Sequence, residues 1–339
     1  MAAPPALLNI LAAAVAAAAV SCAPIRNARA EPGLIARLPD GRALNFRCSG
    51  SGSPTVLLES GFGVGAAGWG RAQPRLARIT RVCAYDRAGY GFSDIGPDPR
   101  DGAAIARDLD QGLAAAGIEG PFVVVGHSAG ALYGRIFAAR RPGEVQGLVL
   151  LDPTVERLAP PGRDGLDGIR RKLQRCLAAA GAAAPPEDSR WEGCIPARAD
   201  DRTRALARNP AAWRNQLTEL DSIFGRTSEQ TARSGGLVAD VPLYVITASE
   251  TAATAPTIGY DRPQSLWELQ HVRLALEFRH GYQRTILSSH LVQNDRPEVV
   301  VEAVQAMVTS VRNAVPPAPL PVSETAPAEG DAAFPEMPN

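Results

Sequence analysis

Short, nearly uninterrupted apolar runs recur along the chain, and between most of them the apolar residues fall three or four positions apart. The first pattern predicts buried strands and the second predicts amphipathic helices. LIARLPDGRALNFRCSG, residues 34–50, reads as two strands joined by a Pro-Asp-Gly turn. TVLLE, Thr55 to Glu59, predicts a third strand, followed by a glycine-rich loop over Gly61 to Gly70 and an amphipathic helix over Trp69 to Ile79. Val82 to Tyr85 predicts the next strand, and Ala103 to Ala116, with Ile105, Leu109 and Leu113 in register, the next helix. Phe122 to Val125, Ala129 to Ala139 and Leu148 to Leu151 continue as strand, helix and strand. Near-continuous apolar strands alternating with helices predict an α/β fold with a mostly parallel central sheet covered on both faces.

The rhythm stops after Asp152-Pro153. Thr154 to Gly236 carries Arg, Ala and Pro with helical spacing and no convincing strand, which predicts an inserted helical cap. The sheet resumes at Val241 to Thr247, a helix follows around Ser265 to Phe278, Gln283 to Leu287 reads as the last strand, and Pro297 to Val311 as a closing helix. The expected organisation is a core in two parts, 31–153 and 237–314, interrupted by a cap over 154–236. Residues 315–339 are Pro/Ala-rich and acidic and are expected to be disordered.

The first thirty residues are expected to be an export signal, because Ala6 to Val20 is apolar except for Asn9 and too short to span a bilayer comfortably. Two processing sites compete. Ala28-Arg29-Ala30 before Glu31 has the form of ordinary cleavage and gives a periplasmic or secreted protein, the favoured reading. Ala19-Val20-Ser21-Cys22 resembles a bacterial lipoprotein box and would make Cys22 a lipid anchor. Without Cys22 four cysteines remain; the simplest connectivity is local, Cys48 with Cys83 and Cys176 with Cys194, and buried free thiols are the alternative, above all for Cys48 and Cys83. Their spacing suits no zinc site. Lys plus Arg and Asp plus Glu are both 35, so no basic field exists to hold nucleic acid, and no such partner is expected.

Val123 to Arg140, VVVGHSAGALYGRIFAAR, places a serine between two glycines at a strand-to-helix bend. In that context G-x-S-x-G becomes a nucleophile elbow. Gly126 and Gly130 remove side chains where strand and helix approach, and Ser128 sits at the apex with its hydroxyl free. The helix start supplies unpaired amides, of which that of Ala129 can donate to an oxyanion.

These residues resemble the α/β-hydrolase family over roughly Leu34 to Val311. The resemblance rests on GHSAG, on LESGFG (Leu58 to Gly63), on DRAGYGFSD (Asp86 to Asp94), on LVLLDP, and on SSHLVQNDRPE near the C-terminus. It implies that the amide of Phe62 is the second oxyanion donor, with Gly61 and Gly63 letting the backbone approach the substrate. A serine needs a base, and the chain has four histidines. His127 adjoins the serine but is expected to point elsewhere, while His271 and His280 read as surface or packing residues. His290 lies in the loop after the last strand, where the family places its general base. The family's usual acid position aligns with Thr251, so the aspartate expected there is absent. Asp152 and Glu250 are the candidates to replace it, with Asp152 favoured and Asp261 more distant. Asp86, Arg87 and Ser93 are expected to brace their loop.

The leading expectation is therefore a serine hydrolase acting on an ester or related acyl bond of a small molecule, with no cofactor or metal. Hydrolases of this fold that form alkyl-enzyme intermediates use a carboxylate nucleophile and are disfavoured by Ser128. A catalytically silent protein binding a small apolar ligand is the alternative from another class, and an envelope-anchored lipoprotein with an interaction role is a third. Reaction of Ser128 with a fluorophosphonate separates the first two, and the mass of the mature N-terminus decides the last.

Overall fold

The fold is that of a computed structural model, which describes residues 31–157, 166–185, 188–195, 199–254 and 264–320. The expected export signal with Cys22, the candidate Asp261 and the end of the acidic tail lie outside the described residues. Where the Pro-Asp-Gly turn predicts a hairpin, β1 (Leu34–Arg37) pairs antiparallel with β2 (Ala43–Ser49). There follow β3 (Thr55–Glu59), α1 (Gln73–Leu76), β4 (Val82–Asp86), α2 (Gly102–Ala115), β5 (Phe122–His127), α3 (Gly130–Arg140) and β6 (Val145–Leu151). The helices α4 (Asp167–Gly181), α5 (Asp201–Ala207), α6 (Pro210–Ser222) and α7 (Ser228–Val238) form the insertion. The core then resumes with β7 (Leu243–Ala248), α8 (Thr251–Thr254), α9 (Gln264–Leu276), β8 (Gly281–Ile286), α10 (Val292–Asp295) and α11 (Pro297–Asn313).

The eight strands lie in the order β1-β2-β4-β3-β5-β6-β7-β8, antiparallel at β1, β2 and β4 and parallel from β4 onward. Every residue of β3, β4 and β5 is buried, which is why these strands read as continuous apolar runs. The side chains of these strands and of β6 alternate between two cores. Leu57, Val124 and Leu148 face one with Phe46, Leu113 and Phe137, while Val56, Val125 and Val149 face the other with Trp69, Val304 and Met307. The helix expected over Trp69 to Ile79 is a correction: a 3-10 turn at Ala66–Trp69 is followed only by the four residues of α1. Gly68, Gly70 and Pro74 fall within seven residues, and two glycines plus a proline weaken continuous helix there.

The insertion is helical, and its described residues contain no strand. Its own core gathers Leu173, Trp191, Trp213 and Leu220 and closes on Leu132 and Tyr133 of α3. A disulfide joins Cys176 to Cys194 inside it, and a second joins Cys48 to Cys83, which sit directly opposite on β2 and β4. Among the described residues no helix is long and apolar enough to cross a membrane.

Candidate active site

Parallel strands β3, β5, β6 and β8 all deliver their following loops to one edge of the sheet, which gathers Phe62, Ser128, Asp152 and His290 from distant parts of the chain. Ser128 takes φ +50, a left-handed conformation unusual for a residue with a side chain. The bend holds it there. Ser128 N donates to Leu151 O at 3.1 Å, and Ser128 O accepts from Ala131 N and Thr154 N, each at 3.0 Å. A Cβ on Gly126 would stand 2.9 Å from Ala131 Cα, and one on Gly130 would overlap Glu59 O and lie 2.7 Å from Ser60 O. Glycine at both positions is thus what allows α3 to dock against the loop after β3.

His290 is buried beside Asp152, with Nδ1 2.6 Å from Asp152 Oδ2. An ionised carboxylate only accepts, so Nδ1 carries the proton of this contact and Nε2 is left with its lone pair, the tautomer a base requires. Asp152 Oδ1 also accepts from Ala248 N at 3.0 Å and Trp267 Nε1 at 2.7 Å, and Oδ2 accepts from Thr251 Oγ1. Burial alone would raise this carboxyl, but the hydrogen bond and charge of His290 outweigh it and hold it below the usual carboxylate range. Glu250 lies differently: its side chain is exposed, and its amide donates to Ser288 O at 3.1 Å. Of the two proposed carboxylates, the one in contact with the His290 ring is Asp152.

His127 corrects an expectation, since it does not turn away from the site. Its Nε2 donates to the backbone carbonyl of His290 at 2.9 Å, and the two rings lie 4.7 Å apart. Burial and the neighbouring His290 push it down to about 3, so it stays neutral and serves as a fixed donor. His271 is a packing residue, though one tied to the acid's turn: Nε2 donates to Pro153 O at 2.8 Å and Nδ1 accepts from Thr247 Oγ1 at 2.9 Å. Burial lowers it to about 4. Neither role had a signal in the sequence beyond the adjacency of His127 to Ser128.

The amides of Phe62 and Ala129 donate to no protein acceptor among the described residues, and both residues line the cavity that also holds Ser128 and His290. The loop carrying Phe62 is gripped from behind by Arg87. Its Nη1 donates to Ser60 O at 2.7 Å and Glu59 Oε1 at 3.0 Å, and its Nη2 to Gly61 O at 2.8 Å and Glu219 Oε1 at 2.9 Å. Glu219 belongs to α6, and Tyr133 donates to the same Oε1 at 3.1 Å. The remainder of the DRAGYGFSD motif braces its loop: Asp86 accepts from Ala66 N, Asn45 Nδ2 and Phe92 N, while Ser93 Oγ donates to Asp86 O. Burial, only partly offset by Arg87, raises Glu59 to about 7.

The cavity measures about 150 Å³. Its floor is Gly61, Phe62, Val64, His127, Ser128, Ala129, Thr154, His290 and Leu291, and the insertion roofs it with Leu166, Ile169, Leu220, Ile223 and Phe224. Among the described residues no group of three or more His, Cys, Asp or Glu side chains is placed to hold a metal ion.

A family model described as the alpha/beta hydrolase fold matches residues 54–219. An uncharacterized vacuolar membrane protein of Saccharomyces cerevisiae is 38% identical over 128 residues, which are 34% of this chain and 20% of the yeast protein. RutD of Azorhizobium caulinodans, provisionally named a carbamate hydrolase, is 36% identical over 145 residues, 42% of this chain and 51% of that one. The chain thus spans about a fifth to a half of the length of these relatives. The solved enol-lactonase of Burkholderia xenovorans shares the fold at 18% identity, with a TM-score of 0.57 over 81% of this chain and all of its own. With the matched model carrying the GHSAG bend and the solved fold carrying the sheet around it, the chain has the α/β-hydrolase fold.

Proposed function

We propose that the protein is a serine hydrolase that cleaves a carboxylic ester, or a related acyl bond, through an acyl-enzyme. The observation that carries this reading is the contact of His290 Nδ1 with Asp152 at 2.6 Å, beside a serine held at φ +50 in the same cavity. Ser128 Oγ attacks the carbonyl carbon while His290 Nε2 takes its proton, and the amides of Phe62 and Ala129 stabilise the oxyanion. His290 then protonates the leaving oxygen, and the acyl group remains on Ser128. Water attacks this ester with His290 again as base, and the acid leaves as the proton returns to Ser128. Asp152 keeps the tautomer and stabilises the imidazolium.

The carbamate hydrolysis in the name of the Azorhizobium relative is acyl chemistry of the same kind and supports the reading. Export belongs to the proposal as well, since two disulfides suit an oxidising compartment. The test is hydrolysis of p-nitrophenyl acetate and butyrate by the purified protein and by Ser128→Ala. Turnover that falls by about 10³-fold or more in the variant supports the proposal. Equal rates in the two proteins sink it.

A further inference from the structure

Resting on the serine-hydrolase reading, we propose that the enzyme acts on esters of small, uncharged, apolar acyl groups with about six non-hydrogen atoms beyond the carbonyl, the size of a benzene ring, which an apolar cavity of this volume accommodates. The acyl group stays bonded to Ser128 through both half-reactions, whereas the alcohol must leave. The apolar space beneath the insertion is therefore assigned to the acyl group, which must stay seated through both steps. Its roof is Leu166, Ile169, Leu220, Ile223 and Phe224, and among the described residues the titratable side chains that line it are His127 and His290. Both are committed, His127 to the His290 carbonyl and His290 to Asp152. A carboxylate on the acyl chain would be desolvated with no cationic partner among the described lining residues, which is strongly unfavourable.

The test is a series of p-nitrophenyl esters from acetate to laurate, with benzoate and the hemisuccinate. Each buried methylene is worth about 0.8 kcal/mol, or about fourfold. The expected kcat/KM climbs from acetate to a maximum at butyrate to hexanoate or benzoate, falls at least tenfold by laurate, and is about 100-fold lower for hemisuccinate than for butyrate. Leu220→Ala should move the maximum to longer chains. A maximum at laurate, or hemisuccinate equal to butyrate, overturns the inference while leaving the serine chemistry intact. Inertness toward every ester together with failure to react with a fluorophosphonate overturns both.

A separate observation, the buried ion cluster, carries a second inference. We infer that Arg87 is a positioning residue for the oxyanion site and that Glu219 ties it to the insertion. Gly61 O and Phe62 N belong to one trans peptide, in which the carbonyl and the N–H point in opposite directions. Arg87 Nη2 holds Gly61 O at 2.8 Å, so the Phe62 N–H is turned away from Arg87. The same Nη2 is held by Glu219 at 2.9 Å, one residue before Leu220, which roofs the cavity. Seating of α6 and orientation of the Phe62 amide thus share one guanidinium.

Glu219→Gln is the informative variant, because Arg87 keeps Glu59 as its counter-charge. With p-nitrophenyl acetate, a substrate too small to depend on the roof, it should lower kcat about tenfold and change KM less than twofold. Affinity for a boronic acid, which forms a tetrahedral adduct, should fall in parallel. Arg87→Lys, which retains the charge but cannot bridge both carbonyls and both carboxylates, should fall further. Unchanged kcat in folded Glu219→Gln, or a raised KM at constant kcat, overturns this inference. Because both readouts are ratios to a wild type that turns over ester, they are distinguishable from failure of the serine chemistry itself.

Discussion

At the scale of single residues, the most informative pair is Asp152 and Thr251. The family's usual acid position is occupied by a threonine, yet Thr251 Oγ1 donates to the same Oδ2 that contacts His290. The carboxylate comes from the end of β6 instead of the loop after β7, and Asp152 adopts φ +41 to present it. Aspartate tolerates this conformation better than most residues. Asp152→Asn should lower kcat by about 10⁴-fold, because the amide no longer dictates the tautomer. Adding Thr251→Asp should restore at least tenfold of the loss, measured as ester turnover. No recovery would mean that a carboxylate at 251 cannot reach the imidazole.

Elements were more legible than contacts. The strands announced themselves because β3, β4 and β5 are buried on both faces, and the bend because Gly126 and Gly130 stand where a Cβ would strike backbone. Gly130→Ala tests the second point: the overlap with Glu59 O and Ser60 O involves main chain that cannot swing aside, so α3 must retreat. The expected cost is about 2 kcal/mol in chemical denaturation, with a loss of activity as the loop before Phe62 moves. Unaltered stability and turnover would contradict that account. The helix expected at Trp69 to Ile79 misled because apolar spacing there outran the backbone, which Gly68, Gly70 and Pro74 interrupt. The contacts of His127 and of Glu219 were hidden for another reason: each joins segments far apart in sequence, and periodicity reports only which face a residue occupies.

For the whole molecule, the buried neutral histidines link stability to pH. The folded value of His271 is depressed to about 4, below its unfolded 6.5, so its contribution is present above 6.5 and is lost as pH falls toward 4. Between pH 6 and 5 unfolding lets it bind nearly one proton, worth about 1.4 kcal/mol per pH unit. In urea titrations, His271→Gln should show a dependence shallower than wild type by about that amount. Superimposable slopes would mean that His271 is not held neutral.

The central claim is that Ser128 is an activated nucleophile and His290 its base. Intact mass and peptide mapping after brief exposure to a fluorophosphonate test it most directly. The account predicts one adduct per chain, on Ser128, absent in Ser128→Ala and slowed by orders of magnitude in His290→Ala. No adduct on the folded wild type, or labelling of Ser128 at the same rate without His290, would contradict it.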